Sequence, residues 1–217
     1  MQSLKLFFAF LIILSFNKTQ AQSSFKQEKH RFYNIVSGYS LIPATIKLND
    51  RLTANNFPNL VSPHYIFGLD YGGVTKRGIV ESEISVTGGF VGKGLSYSLL
   101  RTENISLTYG RDILPKAERT YFYPFLGYNL HSYVLLGKSS DKETLDGSKI
   151  DFDIITGLGL KCFFKRDLIG AFFSNIALNA GISIPTITGK WTQTGSQYLV
   201  GMYRLQSVFD FTASLGF

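Results

Sequence analysis

The sequence predicts an all-β fold, a transmembrane antiparallel up-and-down β-barrel of eight strands, with ten strands as the alternative. Apolar and polar residues alternate over long stretches, which indicates strands with one apolar and one polar face. The 217 residues include 12 Tyr, 19 Phe and 21 Gly, a composition that favours strands and tight turns over helices. After the first 21 residues, no apolar run is long enough to cross a membrane as a helix.

Residues 1–21 are predicted to be a cleavable signal peptide. Lys5 precedes an apolar run at 6–16, and the small residue Ala21 ends the segment. This run is too short to span a bilayer as a helix. We therefore expect an exported protein whose single barrel domain occupies residues 22–217.

The predicted strands are the segments in which the alternation is clearest. In residues 150–164, for example, Phe152 and Ile154 share one face, and Asp151 and Asp153 share the other. Counted back from the C-terminus, strands are predicted at 198–217, 169–187, 150–164, 119–137, 105–111, 94–101, 79–91, 64–73 and 32–48.

The strand count depends on residues 105–137, which Pro115 and Pro124 interrupt. Eight strands result if this stretch is one interrupted strand, and ten result if a turn lies near 128–131. We favour eight strands.

The predicted connections differ in length. Short connections are expected at 74–78, 101–104 and 165–168, and long polar loops at 49–63, 137–149 and 188–197. Short turns at one rim and long loops at the other are typical of outer-membrane barrels. Trp191, in the last long loop, is expected to be an aromatic residue at the membrane interface.

The main alternative is a soluble secreted sandwich or lipocalin-like barrel, in which the apolar face points inward. Here the polar face is rich in Gly, Ser, Thr and acidic residues, which suits a narrow polar lumen. The apolar face is broad and aromatic along entire strands, and its exposure to water would favour aggregation. We therefore predict that the apolar face contacts lipid.

The last ten residues, VFDFTASLGF, carry a resemblance to a known family. Phe209, Phe211, Leu215 and Phe217 alternate there, with Ala213 as the weakest member of the set. Together with the signal peptide, this strand resembles the C-terminal signature of bacterial outer-membrane β-barrels. The resemblance implies that the barrel assembly machinery reads these side chains as an assembly signal. It also implies residence in the outer membrane, in contact with lipid and lipopolysaccharide.

Two finer resemblances concern the kind of barrel. The Tyr- and Gly-rich strands over residues 30–217 resemble the small outer-membrane barrel proteins of Bacteroidota. A further likeness, to the conjugative-transposon TraO proteins, is based on GYN at 127–129 and LDGSKI at 145–150. It implies a conjugation-associated outer-membrane protein.

Charged residues on the polar face are predicted to form a structural network inside the barrel. Buried charges must be paired, so opposite signs are expected in one lumen. The predicted members are Glu81, Glu83, Asp151, Asp153, Lys161, Arg204 and Asp210.

Two interpretations of the Glu81 and Glu83 pair stay open. These carboxylates lie on one face of a strand, where they can share a proton or bind a cation. Alternatively, they form ion pairs with Arg204, Lys161 or Arg101.

No catalytic residue, cofactor site or metal site is predicted. His30, His64 and His131 are scattered, with no ligand spacing for zinc. The segment FFSNIAL, with Ser174, resembles a lipid A deacylase, but Phe173 stands where that family has its His, so the Ser lacks a base. Cys162, the only Cys, is expected to face lipid.

The net charge of +7 is distributed without an arginine-rich helix or base-stacking aromatic motif, so no nucleic-acid partner is expected. No small-molecule ligand is indicated either. The expected function is a non-enzymatic outer-membrane barrel with a structural, adhesive or assembly role through its extracellular loops. The alternatives are a narrow porin-like channel, a lipid A-modifying enzyme and a conjugation-associated protein.

Overall fold

The computed structural model describes residues 30–75, 78–114, 117, 119–141, 143–164, 173–193 and 207–217. Its elements are β1 (His30–Leu41), α1 (Ala44–Ala54), β2 (His64–Thr75), β3 (Gly78–Lys93), β4 (Ser96–Gly110), β5 (Thr120–Lys138), β6 (Thr144–Phe163), β7 (Asn175–Thr188), β8 (Thr192–Gln193) and β9 (Val208–Gly216).

The eight long strands form a closed antiparallel barrel. Each long strand pairs with the next along the chain, and β9 pairs with both β7 and β1, which closes the ring. The two-residue strand β8 only adds a short pairing to β6 at Gly147 and Ser148. The predicted eight-stranded up-and-down barrel is therefore confirmed.

The positions of the turns between the eight strands differ from the predicted ones. The expected turn at 101–104 is wrong, because these residues lie inside the continuous strand β4. The alternative turn near 128–131 is also absent, because β5 runs unbroken through it. Pro124 lies opposite Arg111, one residue beyond the end of β4, and its carbonyl oxygen accepts a hydrogen bond from the Arg111 N–H. The N–H that proline lacks would face the same side, where the β4–β5 ladder has already ended, so Pro124 is tolerated in β5.

Two predicted segments have a different structure. The strand expected at 32–48 ends at Leu41, and helix α1, with Pro43 at its N-cap, covers Ala44–Ala54 and so continues into the loop expected at 49–63. Most of the loop expected at 137–149 belongs to strands, because β5 continues to Lys138 and β6 begins at Thr144. In this second segment, strand pairing therefore continues farther than the polar composition suggests.

Most apolar side chains in the middle of the strands point outward from the barrel, and small or polar side chains point into the middle of the lumen. Along β2, for example, Phe67 and Leu69 are exposed, whereas Asp70 is buried inside. This arrangement is the inverse of a soluble barrel and is that of a membrane-spanning one. Among the described residues, no helix is long and apolar enough to cross a membrane.

The two ends of the barrel differ. We call the end with His30 and Phe217 the terminal end, and the end with α1 the cap end. At the cap end, β3 and β6 extend past their shorter neighbours. The pairing of β2 with β3 ends at Tyr65 and Gly88, whereas β3 continues to Lys93. The pairing of β7 with β6 ends at Thr188 and Asp151, whereas β6 begins at Thr144. Strands of 12 residues span roughly 30 Å along a tilted barrel, and the 20 residues of β6 span roughly 50 Å. Since an apolar membrane band is about 25 Å tall, the β3–β4 and β5–β6 hairpins project beyond it.

Candidate functional site

An apolar cluster closes the lumen at the cap end. Helix α1 contributes Leu48 and Leu52, which lie four residues apart and therefore on one helix face. These side chains pack on inward-facing residues of the projecting strands. The buried members of this cap cluster are Ile42, Leu48, Leu52, Phe57, Leu60, Leu100, Tyr133, Leu135, Leu145 and Val208.

The cap is fixed to the barrel by polar contacts as well. Asn49 clamps the chain after the helix, because its amide donates to the Leu60 carbonyl and its side-chain oxygen accepts from the Leu60 N–H. Thr45 and His64, both buried, form a hydrogen bond of 3.2 Å between α1 and the start of β2. Trp191 packs against the cap cluster, so its predicted place at the membrane interface is wrong. Its ring is held there by the cap and by Lys149, whose Nζ lies 5.8 Å from the ring centroid.

A second apolar cluster closes the terminal end. Its rings make edge-on contacts, such as Tyr121 with Phe163 at 5.6 Å between centroids. The members of this terminal cluster are Phe32, Val74, Ile79, Tyr121, Tyr123, Phe125 and Phe163. In the described residues, the polar groups of the lumen thus lie between two apolar clusters, one towards each end.

Directly above the terminal cluster lies a group centred on Lys161, which is 0% exposed. Its ammonium forms a salt bridge with Glu81 and lies 3.6 Å from Asp70 Oδ2. Asn34 donates a 2.8 Å hydrogen bond to the same Asp70 oxygen, and Tyr123 donates a 3.0 Å hydrogen bond to Glu81. A buried ammonium requires this degree of pairing, because desolvation of a charge is costly.

A second polar group lies beneath the cap cluster. His131 Nδ1 lies 2.8 Å from Asp153 Oδ2 and 2.9 Å from the Tyr133 hydroxyl. Lys149 and Asp151 form a fully buried salt bridge of 2.5 Å. Asp151 also accepts a 3.0 Å hydrogen bond from the Gly189 N–H, which ties the end of β7 to β6.

Between the two polar groups lies a cavity of about 60 Å³. Four carboxylates line it, together with three amide side chains: Asp70, Glu81, Glu83 and Asp210, and Asn104, Asn129 and Asn179. Hydroxyl groups fill the wall between them. A cavity of this size and polarity has room for a few water molecules.

The structure therefore places six of the seven residues of the predicted lumen network inside the barrel. Glu81 and Lys161 are brought together, and Glu83 and Asp210 line the cavity. Asp151 contacts Lys149, and Asp153 contacts His131. Arg204 lies outside the described residues. Arg101 is not a lumen partner, because it points outward on β4 and pairs with Glu103.

Three important lumen residues were not predicted: Asp70, Lys149 and His131. Lys149 precedes Asp151 by two residues and so shares its strand face, a signal that was available in the sequence. The alternation along β2 also placed Asp70 on the polar face. Their pairing depends on which strands lie opposite in the lumen, and alternation alone does not give that.

The remaining candidate chemistry is not assembled into a site. Ser174 lies at the terminal end, where its hydroxyl accepts a 2.9 Å hydrogen bond from the neighbouring Asn175 amide. Cys162 is half-buried and alternates with the inward-facing Lys161, so it lies on the outer face. In the described part of the chain, no group of three or more His, Cys, Asp or Glu side chains is arranged to hold a metal ion directly.

The residues of the predicted assembly signal alternate along the outer face of β9. Phe209, Phe211 and Phe217 are exposed there, and Leu215 is half-buried. The N–H of Phe217 donates a 3.2 Å hydrogen bond to the Tyr33 carbonyl. The chain terminus is thereby attached to β1 at the point where the barrel closes.

The chain is similar in fold to two solved eight-stranded outer-membrane barrels. For Ail, the attachment invasion locus protein of Yersinia pestis, solved in complex with the heparin analogue sucrose octasulfate, the TM-score is 0.50 at 11% identity, over 88% of this chain and 99% of that one. For Neisserial surface protein A, NspA, the TM-score is 0.45 at 11% identity, over 87% of this chain and 97% of that one. At this identity, the likeness to Ail shows the barrel fold alone. No protein-family model and no curated protein matches the sequence.

Proposed function

We propose that this chain is a non-conducting outer-membrane barrel that acts at the cell surface, through a structural or adhesive role of its cap end. The observation that carries this proposal is the presence of an apolar cluster inside the barrel towards each end, from which we infer that the lumen is closed. A barrel of eight strands has an interior that side chains fill. Here the two clusters add apolar barriers to ions on either side of the polar layer.

The outward apolar face supports residence in the outer membrane, with lipid and lipopolysaccharide around the strands. The N-terminal segment, as a signal peptide, would deliver the chain for export, and the barrel assembly machinery would insert it. Orientation follows from the connections, because the longer, projecting hairpins and α1 are at the cap end. Extracellular loops are the longer ones in barrels of this kind. The cap end is therefore assigned to the cell exterior.

Exposed apolar side chains at the cap end support an adhesive role. Leu95 is 89% exposed at the tip of the β3–β4 hairpin, and Phe90 below it is 65% exposed and stacks on Tyr97. Ile46 and Val61 add exposed apolar surface on the cap. These residues belong to the part of the barrel that extends past the membrane band, so lipid does not account for Leu95. An apolar surface in this position suits contact with another macromolecule.

The distribution of charge gives no reason to propose that this chain binds a polyanion such as the heparin analogue bound to Ail. Cap-end cations such as Lys47 and Lys93 are nearly balanced by acids such as Asp141 and Asp146 in the described segments. We therefore base the adhesive proposal on apolar surface. The Bacteroidota-type and conjugation-associated assignments remain proposals from sequence resemblance.

The alternative functions have less support. A channel requires an open lumen, and the cap and terminal clusters occupy it. A lipid A-modifying enzyme requires its nucleophile at the outer leaflet, whereas Ser174 lies at the terminal end, opposite the cap. Neither alternative gains a specific observation in its favour.

Residence and orientation can be tested by labelling with a membrane-impermeant maleimide. In a Cys162→Ala background, a Leu95→Cys variant should be labelled in intact cells. An Asp112→Cys variant, at the terminal end, should be labelled only after lysis. Labelling of both variants only after lysis, or recovery of the protein in the culture supernatant, would contradict the proposal.

The adhesive role can be tested with a variant of the hairpin tip. Cells that produce a Phe90→Ser/Leu95→Ser variant should attach to a protein-coated surface as poorly as cells that lack the protein. A matched Ser96→Ala variant should attach like the wild type. Equal surface levels, checked by labelling, are the control. Wild-type attachment by the tip variant would refute an adhesive function of this surface.

A further inference from the structure

We propose that the lumen cavity binds one hydrated divalent cation, for which Ca²⁺ is the probe. The site would lie between the Lys161 group and the His131 group, inside the sealed barrel. Its primary groups are Asp70, Glu83, Asp210 and Asn129. Nothing in the surface role described above depends on this site.

The first argument is the balance of charge around the cavity. In the described strands, Lys161 is bound by Glu81 and lies 3.6 Å from Asp70, and Lys149 is bound by Asp151. Glu81 and Asp70, which share Lys161, both line the cavity. Glu83 and Asp210 line it as well and form no salt bridge with a lysine or arginine of the described residues.

Like charges in one enclosed site repel one another and disfavour the ionised form of each. Either protons or a counterion must offset them. Four carboxylates that share one ammonium leave excess negative charge around one small space, and a divalent ion offsets that charge better than a monovalent one. Carboxylate, amide and hydroxyl oxygens are also the ligands that hard cations such as Ca²⁺ prefer.

The second, independent argument comes from buried oxygen atoms without partners. Asn129 is 3% exposed and lines the cavity, and its Oδ1 has no hydrogen-bond partner among the residues described. The Oδ1 atom of Asp70, which also lines the cavity, likewise has no hydrogen-bond partner among the residues described. Unpartnered buried oxygens are costly, and a hydrated cation would satisfy both.

The dimensions favour a hydrated ion over a directly caged one. The cavity of about 60 Å³ exceeds the space of a single water molecule. No three acidic, His or Cys side chains of the described chain converge closely enough to hold a metal by themselves. Water molecules therefore complete the coordination shell between the ion and the carboxylates. Because both ends of the lumen are closed, we expect the ion to be captured during folding and to exchange slowly.

The test is to refold the full chain in detergent, with either Ca²⁺ or a chelator present, and then to desalt it into metal-free buffer. Elemental analysis should find about one Ca²⁺ per barrel after refolding with Ca²⁺. The chelator-refolded protein should melt at a lower temperature, because its carboxylates lack the counterion.

Glu83→Gln and Asp210→Asn are the informative variants, each removing one cavity carboxylate. Each should retain less than about a tenth of the wild-type Ca²⁺ and should melt at the same temperature with or without Ca²⁺. The matched control is Asp146→Asn, which removes an exposed carboxylate at the cap end and should behave like the wild type. Migration of unheated samples on a gel confirms that each variant is folded.

Two results would overturn the proposal. Wild-type barrel without bound Ca²⁺, and with the same melting temperature in Ca²⁺ and chelator, would mean that protons or Arg204 offset the carboxylates. Equal Ca²⁺ retention by Glu83→Gln, Asp210→Asn and wild type would place any bound ion outside the cavity.

Discussion

The ammonium group of Lys161 lies 3.3 Å from the centroid of the Phe32 ring. This contact joins the polar layer of the lumen to the terminal cluster, since Phe32 belongs to that cluster and Lys161 binds Glu81. A desolvated ammonium over an aromatic face is favourable. The polar centre and the apolar seal are therefore one packed unit in the lumen.

Replacement of Lys161 by Met should strongly destabilise the barrel. Without the ammonium, Glu81 would be left buried without its salt-bridge partner, at a cost of about 3–5 kcal/mol in the free energy of unfolding. Urea unfolding in detergent, followed by the gel shift of folded barrel, measures this. Lys93→Met, at an exposed position, is the matched control and should change little.

The same pair offers a second check. Adding Glu81→Gln to the Lys161→Met variant should recover part of the lost stability, because one unpaired charge is removed. If Glu81→Gln destabilises the Lys161→Met variant as much as it destabilises the wild type, the two residues act independently and the ion-pair account is wrong.

A charged side chain on the part of the outer face that contacts lipid should destabilise the barrel. Ile84, 61% exposed on β3, pairs with Leu69 and Ile105 in the middle of this face. Ile84→Arg should destabilise the folded barrel in lipid vesicles by about 2–4 kcal/mol. Leu95→Arg, at the hairpin tip, should have almost no effect. Similar stability of both variants would mean that the apolar face does not contact the bilayer.

Close packing between strands should make Gly157 hard to replace. A Cβ atom there would lie 2.1 Å from the Ala180 carbonyl oxygen and 2.6 Å from Phe125 Cζ. Because the backbone of the neighbouring strand would have to move aside, Gly157→Ala should lower the free energy of unfolding by about 1–3 kcal/mol. At Gly73 the nearest atom would lie at an ordinary 3.5 Å, so Gly73→Ala is the control. Equal unfolding midpoints would contradict the close approach of β6 and β7.

The predicted assembly signal can be separated from barrel stability. Phe217→Ala should lower the amount of folded barrel in cells, while its refolding yield and urea midpoint in detergent stay close to those of the wild type. Phe90→Ala, which removes an exposed outer aromatic at the cap end, should assemble normally. Wild-type levels of assembled Phe217→Ala would remove Phe217 from the signal.

The sequence predicted the barrel well because strand alternation reports a local property, the difference between the two faces. It failed at α1, where Thr45, Ile46, Lys47 and Leu48 alternate just as strand residues do. In the sequence, only Pro43 indicates the change from strand to helix. The helix is stabilised by the packing of Leu48 in the cap cluster, which the sequence does not show.

The lumen contacts were harder to predict than the lumen residues. Alternation placed Glu81 and Lys161 inside the barrel, but they are 80 residues apart and belong to β3 and β6. Their contact depends on the register of every intervening strand pair, because each pairing moves the ladder along the barrel. The cavity likewise exists only after all eight strands have closed.

The central claim is that apolar clusters at both ends close this barrel, and planar-bilayer recording tests it most directly. The refolded wild-type chain should show no discrete conductance steps. A folded variant that weakens both clusters, Leu48→Ser/Leu52→Ser with Tyr121→Ser/Phe163→Ser, should show steps, whereas each half alone should not. Discrete, steady openings of the wild-type barrel would contradict the claim and restore the channel.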